Sequence, residues 1–177
     1  MSVFSYEQMN TGRKDLELLL YGTIILYHNV LIMGQDVADL KDLNYKIVEF
    51  DCRNWTTKNK MHKQVKELLE FPDYYGKNLD ALVDCLRHDV IINEKGGLCI
   101  LLKNFEIFKD KFSEYSQSFL NVLAYISHYH QLFGKILLTL VHSNNPKIDS
   151  TLAPVGAFTI YWNPKEFLDS TRGLSDK

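Results

Sequence analysis

No surplus of positive charge surrounds this chain. Its 20 lysines and arginines are outweighed by 22 aspartates and glutamates, for a net charge of −2. Recognition of RNA or DNA through phosphate neutralisation draws on clustered cations, so direct nucleic-acid binding is not expected as the primary activity. Also missing is an apolar run of the roughly 18 residues that a membrane span requires. The first twenty residues, MSVFSYEQMNTGRKDLELLL, lack a basic stretch leading into an apolar core and a small-residue cleavage site. The expectation is a soluble cytoplasmic protein, with no membrane partner. Cysteine is sparse: Cys52, Cys85 and Cys99 are odd in number, lack CxxC spacing and sit in apolar surroundings. They read as buried free thiols, which argues against a disulfide framework or a zinc site.

Familiar chemical signatures are missing too. No GxGxxG follows a strand, and the one Gly-Gly pair, Gly96-Gly97, precedes a strand and lacks the Lys-Ser/Thr of a phosphate loop. No serine lies in a GxSxG elbow. His128 and His130 are two apart on an expected helix, where side chains diverge by roughly 200°, a poor arrangement for joint metal coordination. His62 and His88 have no evident ligand partners. The sequence therefore predicts no catalytic residues, no metal site and no cofactor, and the expectation is a protein that is not an enzyme.

What is present is an alternation of short apolar runs with helical patterns. Gly22–His28, Tyr45–Phe50, Leu98–Leu102, Lys135–Val141 and Ala157–Trp162 read as strands. Between them, Val37–Leu43 has helical spacing with Asp36 as its N-cap. Thr56 or Thr57 caps a helix with Met61, Val65, Leu68 and Leu69 on its apolar face, ended by Pro72. Phe119, Val122, Leu123, Ile126 and Tyr129 share one face of a long helix that stops near Gly134. A brief helix follows Pro164, and the last several residues read as frayed. Continuous apolar strands alternating with helices predict an α/β fold: three layers, with a mostly parallel sheet flanked by helices. The orientation of the last strand stays open. The absence of repeats or a dividing linker predicts a single domain over 1–177.

The stretch FPDYYGKNLDALVDCLRHD, residues 71–89, raises a different question. With Asn78 as N-cap, Leu79, Leu82, Cys85 and Leu86 cluster on one side of a helix, while Asp80, Val83, Asp84 and Arg87 lie on the other. Both carboxylates then project outward from the first turns. The helix macrodipole favours Asp80 by roughly 0.3–1 kcal/mol, but Asp84 lies a turn further on and is repelled by Asp80 across i,i+4. A solvated acidic face and a binding face both fit these residues.

PDYYGKNLDALVDCL resembles the signature of the barstar family, intracellular inhibitors of barnase-type ribonucleases. The Tyr-Tyr-Gly turn, the Asn-Leu-Asp-Ala-Leu helix start and the Asp-Cys-Leu continuation carry the likeness. Weaker similarity spans Tyr45–Val141, implying a barstar-like core over 45–142, an N-terminal β–α extension over 1–44 and a C-terminal strand–helix extension over 143–177. The resemblance implies an inhibitor or immunity protein that neutralises a ribonuclease toxin one-to-one, plugging its active site with the acidic helix and the preceding loop. By motif position Asp84 stands where the RNA phosphate would bind, accepting the bidentate arginine hydrogen bonds that a phosphate receives. Asp80 meets basic residues at the nuclease mouth, Tyr74 packs over the catalytic histidine, and Gly76 and Asn78 make close loop contacts. Tyr75, Val83 and Arg87 complete the implied partner-binding set. Val83 replaces the contact tryptophan of the family prototype, and Tyr125 aligns with a contact glutamate of the long helix. Losing an aromatic anchor and a charge points away from barnase itself and towards a different nuclease. Two other readings are a small α/β enzyme acting on a nucleotide or phosphate ester, and a regulatory module with a non-nuclease protein partner.

Overall fold

A computed structural model of the protein describes residues 12–156 and 158–168. Five strands occur in chain order: β1 (Ile24–Tyr27), β2 (Tyr45–Asp51), β3 (Gly97–Lys103), β4 (Leu137–His142) and β5 (Tyr161–Trp162). They form one sheet in the order β2-β3-β4-β1-β5, every pair parallel. Helices α1 (Lys14–Leu19) and α2 (Val30–Asp42) precede β2, and α3 (Lys58–Leu68) and α4 (Leu79–His88) separate β2 from β3. Between β3 and β4 lie α5 (Phe105–Lys111) and α6 (Ser113–Gln131).

Successive side chains of a strand point to opposite faces, and here both faces are buried. Ile25 and Tyr27 of β1, with Leu138 and Leu140 of β4, pack beneath Leu16, Leu18, Met33 and Leu40 of α1 and α2. On the other face Leu26, Phe50, Ile100 and Val141 meet Met61 and Val65 of α3, Leu82 and Leu86 of α4 and Phe119 and Leu123 of α6. Trp55 anchors this second core: its ring lies 4.9 Å from Phe108 and 5.5 Å from Phe119, and its indole N–H donates to Gln64 at 2.7 Å. The expected three-layer α/β architecture is therefore what the chain adopts.

The Gly96-Gly97 pair, unsuited to phosphate, is required by packing. A Cβ at Gly96 would overlap the Asn44 carbonyl, and one at Gly97 would lie 2.6 Å from the Ile136 carbonyl oxygen.

Several local expectations are corrected. Asp36 does not cap a helix. Asn29 caps α2, accepting from the Leu31 amide at 2.8 Å, and Asp36 lies inside the helix, fully buried. Its carboxylate accepts from the Tyr27 hydroxyl at 2.9 Å and the Asn163 amide at 2.6 Å, and pairs with Lys14 at 3.2 Å and Lys165 at 3.4 Å. These partners are remote in sequence, so local pattern could not assign the role. Helices α1 and α5 were not expected; six and seven residues are too short for a clear amphipathic repeat. The final strand shrinks to Tyr161–Trp162 and runs parallel to β1 at the sheet edge, followed by a 3-10 turn over Pro164–Leu168. The expected fraying of the last several residues concerns positions 169–177, outside the described residues.

Candidate partner-binding face

Helix α4 is built as its residues require. The Asn78 side chain accepts from the Ala81 amide at 2.8 Å, and its own amide donates to the Gly76 carbonyl at 3.3 Å, joining loop to helix. Leu82, Cys85 and Leu86 are buried, while Asp80 and Asp84 are exposed on the far side. Neither carboxylate makes a hydrogen bond or ion pair within the described residues. Burial lifts the Cys85 thiol to about 11, so it is protonated and inert at neutral pH.

The preceding loop is held from several directions. The Tyr75 amide donates to the Pro72 carbonyl at 3.1 Å, and Lys66 pairs with Asp73 at 2.7 Å. Tyr74 is 71% exposed, yet its hydroxyl donates to Asp89 at 2.7 Å, beyond the carboxyl end of α4. That hydrogen bond raises the Tyr74 hydroxyl to about 12. Gly76 is exposed; a Cβ there would approach that of Ala81 to 3.3 Å, so this turn tolerates little bulk.

Tyr75 differs from its expected role. It is 5% exposed and turned inward, ring against Phe71 and hydroxyl bonded to Nδ1 of His62. Nε2 of His62 meets the Tyr115 hydroxyl at 2.5 Å. A neutral imidazole suits two hydroxyls, because one nitrogen donates and the other accepts. Burial depresses His62 to about 4. Tyr75 thus fastens the loop from beneath and offers no side chain to a partner. The sequence showed no partner for His62, although it stands three residues before Val65 on the inner side of α3. A second fastening comes from His130, which takes a hydrogen-bonded role instead of a metal-binding one: its Nε2 donates to the Leu86 carbonyl at 2.7 Å, satisfying one of the last carbonyls of α4. His128 points elsewhere, exposed beside Phe158.

Val83 is half-buried and packs against the main core. Arg87, also half-buried, lies over two rings of α6, its Cζ 5.0 Å from the centroids of both Tyr125 and Tyr129. Each such contact contributes about 0.5–1 kcal/mol where water still reaches it. The buried Nε of Arg87 has no hydrogen-bond partner. Among the described residues, no three or more His, Cys, Asp or Glu side chains are arranged to hold a metal ion. No helix among them is long and apolar enough to cross a membrane.

Fold and surface together define a three-layer α/β protein that presents a preorganised loop and an acidic helix at the margin of its sheet. The family model "Barstar (barnase inhibitor)" matches residues 45–140, and the chain belongs to that family. It is 40% identical over 73 residues to the Bacillus subtilis (strain 168) protein named "Putative ribonuclease inhibitor YrdF", a match covering 41% of this chain and 76% of that one. The fold also resembles a chain in a structure of Drosophila ORC bound to DNA, with a TM-score of 0.52 and 18% identity, covering 90% of this chain and 46% of the other. That likeness concerns the fold alone. The family match takes in β2, β3 and most of β4; β1, β5, α1 and α2 lie outside it.

Proposed function

We propose that this protein blocks the active site of a ribonuclease, one-to-one, with α4 and the loop before it, and does so without a cofactor or catalysis of its own. The observation that carries the proposal is the paired exposure of Asp80 and Asp84 on a helix whose other face is fully used by the core. Neither carboxylate has a hydrogen-bond or ion-pair partner among the described residues, and only Asp80, in the first turn, gains from the helix macrodipole. Asp84 enters the nuclease phosphate site and accepts its arginine hydrogen bonds. Asp80 meets basic groups at the rim, and Tyr74, held by Asp89, closes over the catalytic histidine. Gly76 and Asn78 keep the loop low enough for close approach, Val83 adds a small apolar contact and Arg87 bounds the patch. Membership of the barstar family and the likeness to a protein named as a ribonuclease inhibitor support this reading. Val83 at the family's tryptophan position and Tyr125 at its glutamate position favour a nuclease other than barnase.

The test is binding kinetics against catalytically inactivated barnase-type nucleases at two ionic strengths. Association should slow as salt rises, and Asp84→Ala should bind far more weakly while unfolding like the parent. A folded Asp84→Ala variant that binds as tightly as the parent would leave the acidic face merely solvated.

A further inference from the structure

Arg87 is the charged residue on this face that an anion-mimicking inhibitor has least reason to carry. It lies three residues beyond Asp84, hence about 4.5 Å further along the helix axis. It makes no ion pair with Asp84 or Asp80, and among the described residues its guanidinium forms no hydrogen bond. Instead the group is laid on Tyr125 and Tyr129, Cζ 5.0 Å from each ring centroid, with Nε buried and unpartnered. Two consequences follow. The rings hold the guanidinium in one place, so little freedom is lost when a partner meets it. The Nε is sealed beneath the surface, but the terminal Nη groups of this half-buried side chain also have no acceptor among the described residues, and ring faces do not supply one. Guanidinium groups match carboxylates through paired N–H···O bonds, so the complementary group is a carboxylate approaching the guanidinium edge.

We propose that Arg87, braced by Tyr125 and Tyr129, is a specificity-determining residue that receives an aspartate or glutamate from the rim of the nuclease. This rests on the blocking role assigned to α4. The helix then reads a partner with two features about a turn apart: a basic pocket for Asp84 and an acidic side chain for Arg87. A nuclease whose mouth is basic throughout meets Arg87 as a like charge and is rejected. Asp84 supplies affinity for nucleases in general, and Arg87 chooses among them.

The experiment displays a catalytically inactivated barnase-type nuclease with its active-site rim randomised, and selects it separately against the parent protein, Arg87→Glu and Arg87→Met. The Met variant keeps an apolar cover on the two tyrosines, and denaturation of each variant confirms that it folds. The expected result is that the parent enriches Asp or Glu at one rim position, Arg87→Glu enriches Lys or Arg at the same position, and Arg87→Met enriches neither. Nucleases selected by the parent should then lose at least ten-fold in affinity for Arg87→Met, with Arg87→Glu restored by the reversed charge on the nuclease. Binders without acidic bias that tolerate Arg87→Glu overturn this inference and leave the blocking role standing. Binders that tolerate both Asp84→Ala and Arg87→Glu, or no binders at all, overturn the blocking role and this inference with it.

Discussion

Asp84 and Cys85 are neighbours in sequence with opposite fates, and two predictions separate them. Truncating one partner of a buried interfacial charge pair costs about 2–5 kcal/mol or more, mostly through faster dissociation. That magnitude comes from barnase and barstar, the family's reference pair. Asp84→Ala should therefore show the largest loss in binding kinetics, and Tyr74→Ala and Asp80→Ala intermediate losses, all with near-parental unfolding. Cys85 is 1% exposed among Leu82 and Leu86, and its thiol stays protonated. It should label slowly in the folded protein, and Cys85→Ala should lower stability by about 1–2 kcal/mol without affecting nuclease binding. Rapid labelling in the folded state would mean that the helix is rotated.

The loop and α4 act as one element because buried histidines fasten them. His62 is depressed to about 4 from an ordinary value of 6.5, so between these limits the unfolded chain binds the additional proton. Its contribution is fully present above pH 6.5 and is lost as the pH falls through about 4. Burial also lowers His130, which adds in the same direction. After allowing for solvent screening, His62 should account for about 1–3 kcal/mol of acid destabilisation. Urea denaturation from pH 7 to pH 4 should show a steeper fall for the parent than for His62→Gln; equal slopes would remove His62 as the sensor. At this scale the sequence was legible where contacts are local. The Asn78 cap and the inward set of Leu82, Cys85 and Leu86 follow from helical periodicity alone. The inward turn of Tyr75 was hidden because it depends on His62 and Tyr115, groups from two other helices, and a Tyr-Tyr pair does not reveal which ring is buried. Asp36 was misread for the same reason, since Tyr27, Asn163 and Lys165 approach it only in three dimensions.

On the scale of the whole molecule, both extensions are built into the sheet, β1 against β4 and β5 against β1. The Asp36 carboxylate joins them, holding Lys14 before β1 and Asn163 and Lys165 after β5. Breaking a buried ion pair from one side typically costs about 3–5 kcal/mol. Asp36→Ala should lower stability by about that amount, with core and extensions still melting in one calorimetric transition. A separate early transition would show that the extensions fold independently of the barstar-like core. The purified protein should hydrolyse neither RNA nor nucleotides, with or without divalent metal; turnover that tracks the protein through purification would displace the inhibitor reading.

The place of β1 in the sheet also sets a delay during synthesis. Ile24 pairs with Thr139, and Ile25 with both Leu140 and Tyr161. Roughly 115 further residues must be translated before the first of these partners exists, which takes about 6–23 s at about 5–20 residues per second. Throughout that time an apolar, β-prone Ile-Ile-Leu-Tyr segment has no strand to pair with and is open to association with other nascent chains. The yield of folded protein should therefore depend on translation speed and on chaperone supply.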